Sequence, residues 1–559
     1  MRELISRFRP FFVYAALFSM FINILVLAPA AYMMQIFDRV MTGRSEETLV
    51  MLTLVVVPAI MVMALIESLR ARLLLACGAA MDRKLGPRVL EGVLAQTARL
   101  SGADYLNGMR DVNTLRSFLT GNGIFAMFDA PWLPLFLVII FFFHPLLGAV
   151  ATAGAIAMVT LAIFNERVTR KPLEKVGSET RAASKMIDAS VRNAEVVSAL
   201  GMASAVNRRW TDKNEQVLRL QAHAVGTGRT LTGMSKFTRQ VIQIAMVGTG
   251  AWLVVDLHVT PGVMLATTLV LGRALGPVEA LVANWKNLVE ARSAWLRLDK
   301  LLAGNPPVES GTELPAPRGE VSAERVVFGL KGAEKPIIRG VSFRLAAGET
   351  LGMIGPSAAG KSTLARLLLG VWKPNSGNVR LDGADVAVWP REMLGPHIGY
   401  LPQDVELFSG TVAENIARLG AVDSPAVIRA AQRAHVHELI LRLPKGYDTD
   451  VGEGGATLSP GQRQRIGLAR AVFGDPRLVL LDEPNANLDH DGEQALVQTL
   501  RELKAAGVTV IVIAHRPSLL GSADKLLVLR DGAVEMFGPR AEILARVTRA
   551  APPAARGVA

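Results

Sequence analysis

The 559-residue sequence holds a single cysteine, Cys77, in the setting LLLACGAA. One cysteine excludes an intrachain disulfide, a cysteine-rich metal site and a thiol redox pair, and its apolar neighbours assign it to packing. Acidic residues are also in short supply: 49 Asp and Glu face 61 Lys and Arg, a formal net charge of +12. In a chain with a mean hydropathy of +0.32, that surplus fits cationic loops on one side of a membrane, and no nucleic-acid partner is expected. A cleavable signal peptide is missing too. The opening MRELISRFRPFFVYAALFSMFINILVLAPAAYMM has a basic head, but its apolar stretch is long enough to cross a bilayer and reads as a retained helix.

What is present is apolar and unevenly placed. Half of the residues are hydrophobic, and before residue 290 they gather into six segments near 11–34, 49–66, 125–143, 146–164, 239–256 and 261–283. Each approaches the roughly 20 residues that a helix needs to cross about 30 Å of hydrocarbon. Long stretches bearing Arg and Lys follow the second and fourth segments, whereas the other connections are short. Arg2, Arg7 and Arg9 place the amino terminus in the cytoplasm, and with it both long loops. These loops mix apolar and charged residues at helical spacing, so the membrane helices are expected to continue beyond the bilayer. Within the first loop, SGADYLNGMRDVNTLRSFLTGNG is expected to supply a short helix across the end of the bundle.

After the membrane domain (1–300), the Pro/Gly-rich stretch in 301–319 reads as a linker. From 320 to 548, short β-rich runs (TLGMIG, VTVIVIAH, KLLVLR) alternate with helical patterns, the rhythm of an α/β domain with a largely parallel sheet. The tail, 549–559, is expected to fray.

The chemistry sits in this second domain. GPSAAGKST (Gly355, Pro356, Ser357, Ala358, Ala359, Gly360, Lys361, Ser362, Thr363) fits G-x-x-x-x-G-K-[ST] between an apolar strand and a helical run. Backbone N–H groups of such a loop cradle phosphates, Lys361 reaches the β- and γ-phosphates of ATP, and Ser362 offers its hydroxyl to Mg²⁺. Ala358 and Ala359 stand where glycine is common, each adding only a methyl group. LVLLDE (478–483) is an apolar strand ending in two acids. Asp482 fits the metal-side carboxylate and Glu483 the general base for an attacking water.

Between these motifs, TLSPGQRQRIGLARA carries Ser459, Gly461 and Gln462, and resembles the LSGGQ signature of ATP-binding-cassette (ABC) proteins. Pro460 replaces the first glycine, at a helix start where proline is favoured. GYLPQD with Gln403 is similar to the Q-loop, NANLD with Asp489 to the D-loop, and AHRPS with His515 to the switch region. The resemblance implies that Gln403 senses Mg²⁺, that His515 lies near the γ-phosphate, and that the signature acts in trans on the partner's nucleotide. One departure concerns adenine: where many cassettes carry a stacking aromatic residue, this chain has VVFGLKG, with Leu330 at the expected place and Phe328 two residues earlier.

The implied fold is an α-helical six-span membrane domain fused to an α/β P-loop ABC domain, a half-transporter that works as a homodimer. FDAPWLPLF and YMMQIFDRVMTGRSEETL resemble type I secretion ATPases, in particular the PrtD-like protease-exporter branch. That likeness implies an inner-membrane ATPase that exports an unfolded polypeptide carrying a C-terminal signal. Its partners would be a periplasmic membrane-fusion adaptor, an outer-membrane channel and membrane lipid. The lead before the first helix is too short for the cysteine-peptidase domain of leader-cleaving exporters, as expected for this branch. Asp129 at a membrane boundary needs a partner or water. The Asp129–Pro131–Trp132–Pro134 cluster either anchors and bends the third helix or lines a cargo path. The rival functions are a lipid or small-molecule exporter of the same layout, and a membrane-tethered regulatory ATPase that transports nothing.

Overall fold

A computed structural model describes residues 2–99, 105–304, 314–330, 334–514 and 516–550. They fall into two compact units, one ending at Pro306 and one beginning at Pro307.

The described residues of the first unit form helices joined by short turns. Its first helix, Arg2–Leu25, is followed by Ala28–Gln35, a π-turn at Ile36–Val40, and the 54-residue helix Glu46–Arg99. At 1.5 Å per residue the last of these is about 80 Å long, well beyond the hydrocarbon thickness. The helices Pro145–Arg192 and Ala203–Val255 are of similar length, so membrane segments and extensions are continuous, as the loop patterning implies. Among the described residues, five helical stretches are long and apolar enough to cross a membrane: Phe8–Gly43, Glu46–Ala98, Asn122–Phe143, Pro145–Arg192 and Pro261–Ala283. The remaining expected segment, near 239–256, forms the end of the Ala203–Val255 helix. Gln240, Gln243 and the Gly–Thr–Gly of 248–250 dilute its hydropathy. It is nonetheless packed, with Ile242 and Met246 buried among Met158, Val270 and Leu271.

The loop expected to cap the bundle end does something different. Its described part forms a 16-residue helix, Tyr105–Thr120, that returns antiparallel along Glu46–Arg99. Val112, Leu115 and Leu119, spaced at three and four residues, bury one face against Leu74, Cys77, Met81, Leu85 and Val89. The helical period was correct, but the apolar stripe matched the neighbouring extension better than an end-on cap. A bidentate pair joins the same helix to Trp285–Ala303: Arg297 donates to Asp111 at 2.6 and 2.8 Å.

The described residues of the second unit hold two sheets. β1 (Val321–Phe328), β2 (Ile338–Leu345), β4 (Ser376–Leu381) and β5 (Ala384–Asp385) form an antiparallel sheet in the order β2-β1-β4-β5. The other, ordered β10-β9-β3-β8-β7-β6, contains β3 (Thr350–Ile354), β6 (Ile398–Leu401), β7 (Leu478–Asp482), β8 (Thr509–Ile513), β9 (Lys525–Arg530) and β10 (Ala533–Pro539). All of its pairings are parallel except that of β9 with β10. β7 and β8 are buried at every residue, as continuous apolar strands covered on both faces must be. The motif segments leave this sheet at the C-terminal ends of β3 and β7, where open α/β sheets carry their ligands.

Candidate functional site

The phosphate loop turns out of β3 at Gly355 and enters the helix Lys361–Leu368. Backbone conformation selects its residues. A Cβ on Gly355 would lie 2.1 Å from the Leu529 carbonyl oxygen, and Gly360 takes φ +96° at the helix start. Ala358 adopts φ +64°, a left-handed conformation that disfavours any residue with a Cβ. Its methyl group is therefore less neutral than composition alone suggests. Pro356, Ser357 and Ala358 are exposed, Ala359 is buried beneath them, and Ser362 and Thr363 are half-buried on the first turn. The Lys361 ammonium reaches back to the loop, donating to the carbonyls of Gly355 (2.8 Å) and Pro356 (3.0 Å). Burial lowers its pKa, and Glu483 and Asp482 partly offset that effect.

Those two acids come from β7. Asp482 is its last residue and is buried; burial pushes its carboxyl above the usual range, against a hydrogen bond from Ser362. Its Oδ1 is buried with no hydrogen-bond partner among the described residues. A desolvated carboxylate oxygen beside a serine hydroxyl and a phosphate loop suits a hard, oxygen-seeking cation. Among the described residues no cluster of three or more His, Cys, Asp or Glu forms a protein-only metal cage. That donor set matches an ion held by one or two protein ligands plus phosphate oxygens. Glu483 follows at φ +48°, with its N–H donating to the Ile513 carbonyl of β8 at 3.0 Å. Strain of this kind in a non-glycine residue gathers at functional positions. The Gln403 side chain, two residues past β6, donates to Glu483 Oε2 at 3.1 Å. The phosphate loop, Asp482, Glu483 and Gln403 thus converge at one end of the sheet.

Ser459, Gly461 and Gln462 form the start of the helix Pro460–Val472. Ser459 Oγ accepts from the Gln462 N–H (3.2 Å), while Gln462 Oε1 accepts from the Ser459 N–H (2.9 Å), a reciprocal capping box. Pro460 occupies the first helical position, where its missing N–H costs nothing. A Cβ on Gly461 would meet the Asn487 carbonyl at 2.9 Å. Among the described residues, no hydrogen bond or ion pair joins these three to the phosphate loop of the same chain. Asp489 caps the next helix, His490–Ala505, accepting from the Gly492 N–H at 2.8 Å.

Two family models match the chain: an ABC transporter model over residues 338–486, and an ABC transporter transmembrane-region model over residues 12–278. A type I secretion system ATP-binding protein of Rhizobium meliloti (strain 1021), PrsD, is 40% identical over 97% of this chain and 93% of its own length. The chain belongs to the ABC transporter family. The cyclolysin secretion/processing ATP-binding protein CyaB of Bordetella pertussis (strain Tohama I) is 30% identical over 95% of this chain and 75% of its own length. A solved bacterial Atm1-family ABC exporter with ATP bound superposes with a TM-score of 0.83 at 26% identity, covering 98% of this chain and all of that one. The protein is thus a membrane-embedded transporter that binds and hydrolyses ATP to drive export, with the type I secretion ATPases as its full-length relatives.

In this transporter several side-chain partnerships escape sequence reading. Gln464, buried on the signature helix, donates to the Pro484 carbonyl (2.9 Å) and accepts from Asn487 (3.1 Å), which fastens the signature to the segment after Glu483. Its place inside QRQRIG gives no sign of this. At the adenine side, Phe328 is buried and stacks on Trp372 at 5.0 Å, while Arg366 lies 4.9 Å from the same Trp ring. Phe328 is therefore a core residue, and Leu330 is exposed. His515 lies outside the described residues.

In the membrane unit, Asp129 has the partner that its position demands. Arg70 donates to Asp129 Oδ1 at 2.7 Å and to Ser19 Oγ at 2.6 Å, and Asn23 donates to the same Asp129 oxygen at 3.2 Å. The Arg70 guanidinium also lies 4.8 Å from the centre of the Phe125 ring. This buried cluster ties the first helix, the Glu46–Arg99 helix and the Asn122–Asp129 helix together. Pro131 sits in a 3₁₀ turn, Ala130–Trp132, between Asn122–Asp129 and Leu133–Phe143. In QIFDRV, Asp38 accepts from the Thr260 hydroxyl (2.6 Å) and the Gly262 N–H (2.9 Å), capping the Pro261–Ala283 helix across the fold.

Proposed function

We propose that this transporter is the inner-membrane ATPase of a type I secretion system and exports an unfolded polypeptide from the cytoplasm, with a C-terminal signal on the cargo. The observation that carries this reading is the likeness to PrsD along nearly the full length of both chains. The printed name of CyaB, which refers to cyclolysin secretion, points the same way. Six membrane helices per chain and one cassette per chain imply a homodimer, with the amino terminus and ATPase domain in the cytoplasm. A periplasmic adaptor and an outer-membrane channel would complete the conduit.

ATP binding brings the two cassettes together, each signature (Ser459, Gly461, Gln462) covering the nucleotide on the other chain's phosphate loop. The capping box pre-sets that helix start and leaves the Gly461 N–H as its backbone donor toward an anion. Lys361 exchanges its loop carbonyls for phosphate oxygens. Mg²⁺, held by Ser362 with Asp482 and Gln403 beside it, would neutralise charge on the β- and γ-phosphates. Glu483 takes the proton of the attacking water, its carboxylate steered by Gln403. His515 positions the γ-phosphate by resemblance to the family. Hydrolysis and phosphate release then separate the cassettes.

The test is secretion in cells carrying this chain, an adaptor and an outer-membrane channel, with a reporter that ends in a repeat-protein C-terminal signal. Reporter in the medium with wild type, and its loss by at least about 100-fold with Glu483→Gln, is the expected result. Assembled, ATP-hydrolysing complexes that leave the reporter and a panel of polypeptide cargos inside would shift the assignment to a lipid or small-molecule exporter. The Atm1-family neighbour has the same layout, so architecture alone does not choose the cargo.

A further inference from the structure

The helical unit contains a cavity of about 350 Å³ that nucleotide chemistry does not use. Phe8, Phe12, Cys77, Met81, Leu115 and Trp295 line it, and Arg292 stands among them. The first helix and the Glu46–Arg99 helix run antiparallel here: Ser19 meets Arg70, and Phe8 shares a buried cluster with Met81 and Leu85. Phe8 and Phe12 bracket Arg9 and Pro10, where the first apolar span begins. The first-helix wall of the cavity therefore lies at the edge of the hydrocarbon, level with lipid headgroups.

Its rim is cationic. Arg292, which lines it, and Lys84 are exposed, and the Lys84 ammonium lies 5.8 Å from the centre of the Phe8 ring. The nearby acids are engaged by other bases: Asp82 with Arg116 at 3.1 Å, and Glu290 with Lys286 at 3.7 Å. An apolar chamber beside the membrane edge, with a basic rim that no acid among the described residues pairs, matches one class of molecule, an acyl chain joined to a phosphate. We propose that this cavity holds one acyl chain of an anionic phospholipid, with the headgroup phosphate on Arg292 and Lys84. The inference rests on membrane embedding and not on the nature of the cargo.

Cys77 and Trp295 make the cavity readable. The full-length transporter is placed in nanodiscs of phosphatidylglycerol or phosphatidylcholine brominated along the acyl chains, and Trp295 emission is taken as wild type minus Trp295→Phe. The expected result is at least twofold quenching of Trp295 in brominated phosphatidylglycerol and little in phosphatidylcholine. Paired Lys84→Glu and Arg292→Glu changes should abolish that difference. Trp252, exposed near the end of the Ala203–Val255 helix, serves as the lipid-facing control and should be quenched in both. Trp295 left unquenched in both lipids, or quenched equally, overturns the proposal. Should Trp295→Phe not fold, Cys77 gives an independent reading in the otherwise cysteine-free chain. Its maleimide labelling should be at least tenfold slower in phosphatidylglycerol than in phosphatidylcholine, and equal rates overturn the proposal. A cargo signal peptide that alters Trp295 emission while neither lipid does would assign the cavity to cargo instead.

Discussion

The two units hold their polar groups in opposite ways. In the cassette, three motif side chains are fixed by neighbours a few residues away: Lys361 by Gly355 and Pro356, Ser459 by Gln462, Asp489 by Gly492. In the helical unit the partners are far apart in sequence. Asp129 meets residues 59 and 106 positions distant, Asp111 meets one 186 away, and Asp38 caps a helix 222 residues on. Local bonds recur wherever the motif recurs, whereas a distant bond exists only because the fold brings the two together. The difference teaches that the cassette's chemistry is portable, while the membrane unit's polar contacts define one particular arrangement of helices.

The largest expected effect probes the distant kind. Asp129→Ala leaves Arg70 buried without its carboxylate, at a cost of about 3–5 kcal/mol. Thermal unfolding of the purified transporter checks this, and the double variant Arg70→Met with Asp129→Leu should recover most of the loss. If each single change costs under about 1 kcal/mol, the pair is not the lock that its geometry implies.

The next effect depends on pH. Burial holds the Asp482 pKa above its ordinary value, so the ionised form is the one the fold disfavours. Stability from this group is greatest when it is protonated and falls as pH rises through its titration. Without metal and nucleotide, Asp482→Asn should therefore melt a few degrees higher at neutral pH, and the gap should close toward acid pH. Adding Mg-ATP should stabilise the wild type more than the variant. A variant that melts lower at neutral pH would contradict the burial argument.

Smaller effects test the local kind. Ser459→Ala removes half of the capping box and should cost about 1 kcal/mol, together with ATPase activity. Ser459→Thr should restore the stability. Smallest of all, Ala358→Gly relieves a left-handed alanine and should raise the melting point by no more than about 1 kcal/mol equivalent. A fall in stability there would mean that the alanine's restriction of the unfolded chain outweighs the strain.

These contrasts explain what was legible. Gly355–Thr363, Gln403, Asp482 and Glu483 could be named from the chain because strand–loop–helix order places them together at the ends of parallel strands. Gln464 and Arg70 could not, since nothing in QRQRIG or ESLRAR distinguishes a side chain that turns inward from one that faces solvent. Asp129 fell between the two cases. Its need for a partner followed from position, but the partner's identity did not. Phe328 shows the converse: a strand-end aromatic in roughly the right place is absorbed by Trp372 because burial in the antiparallel sheet is more favourable than exposure.

Composition and patterning determined an apolar helical half, a parallel-sheet half and a complete set of nucleotide motifs, because 3.6- and 2-residue periods and loop glycines are local properties. Tertiary structure alone decided that 105–120 runs back along the long helix, that Asp129 takes Arg70, and that Asp38 caps the helix at Pro261. Each of these depends on which surfaces meet across dozens or hundreds of residues, and no local period encodes that meeting.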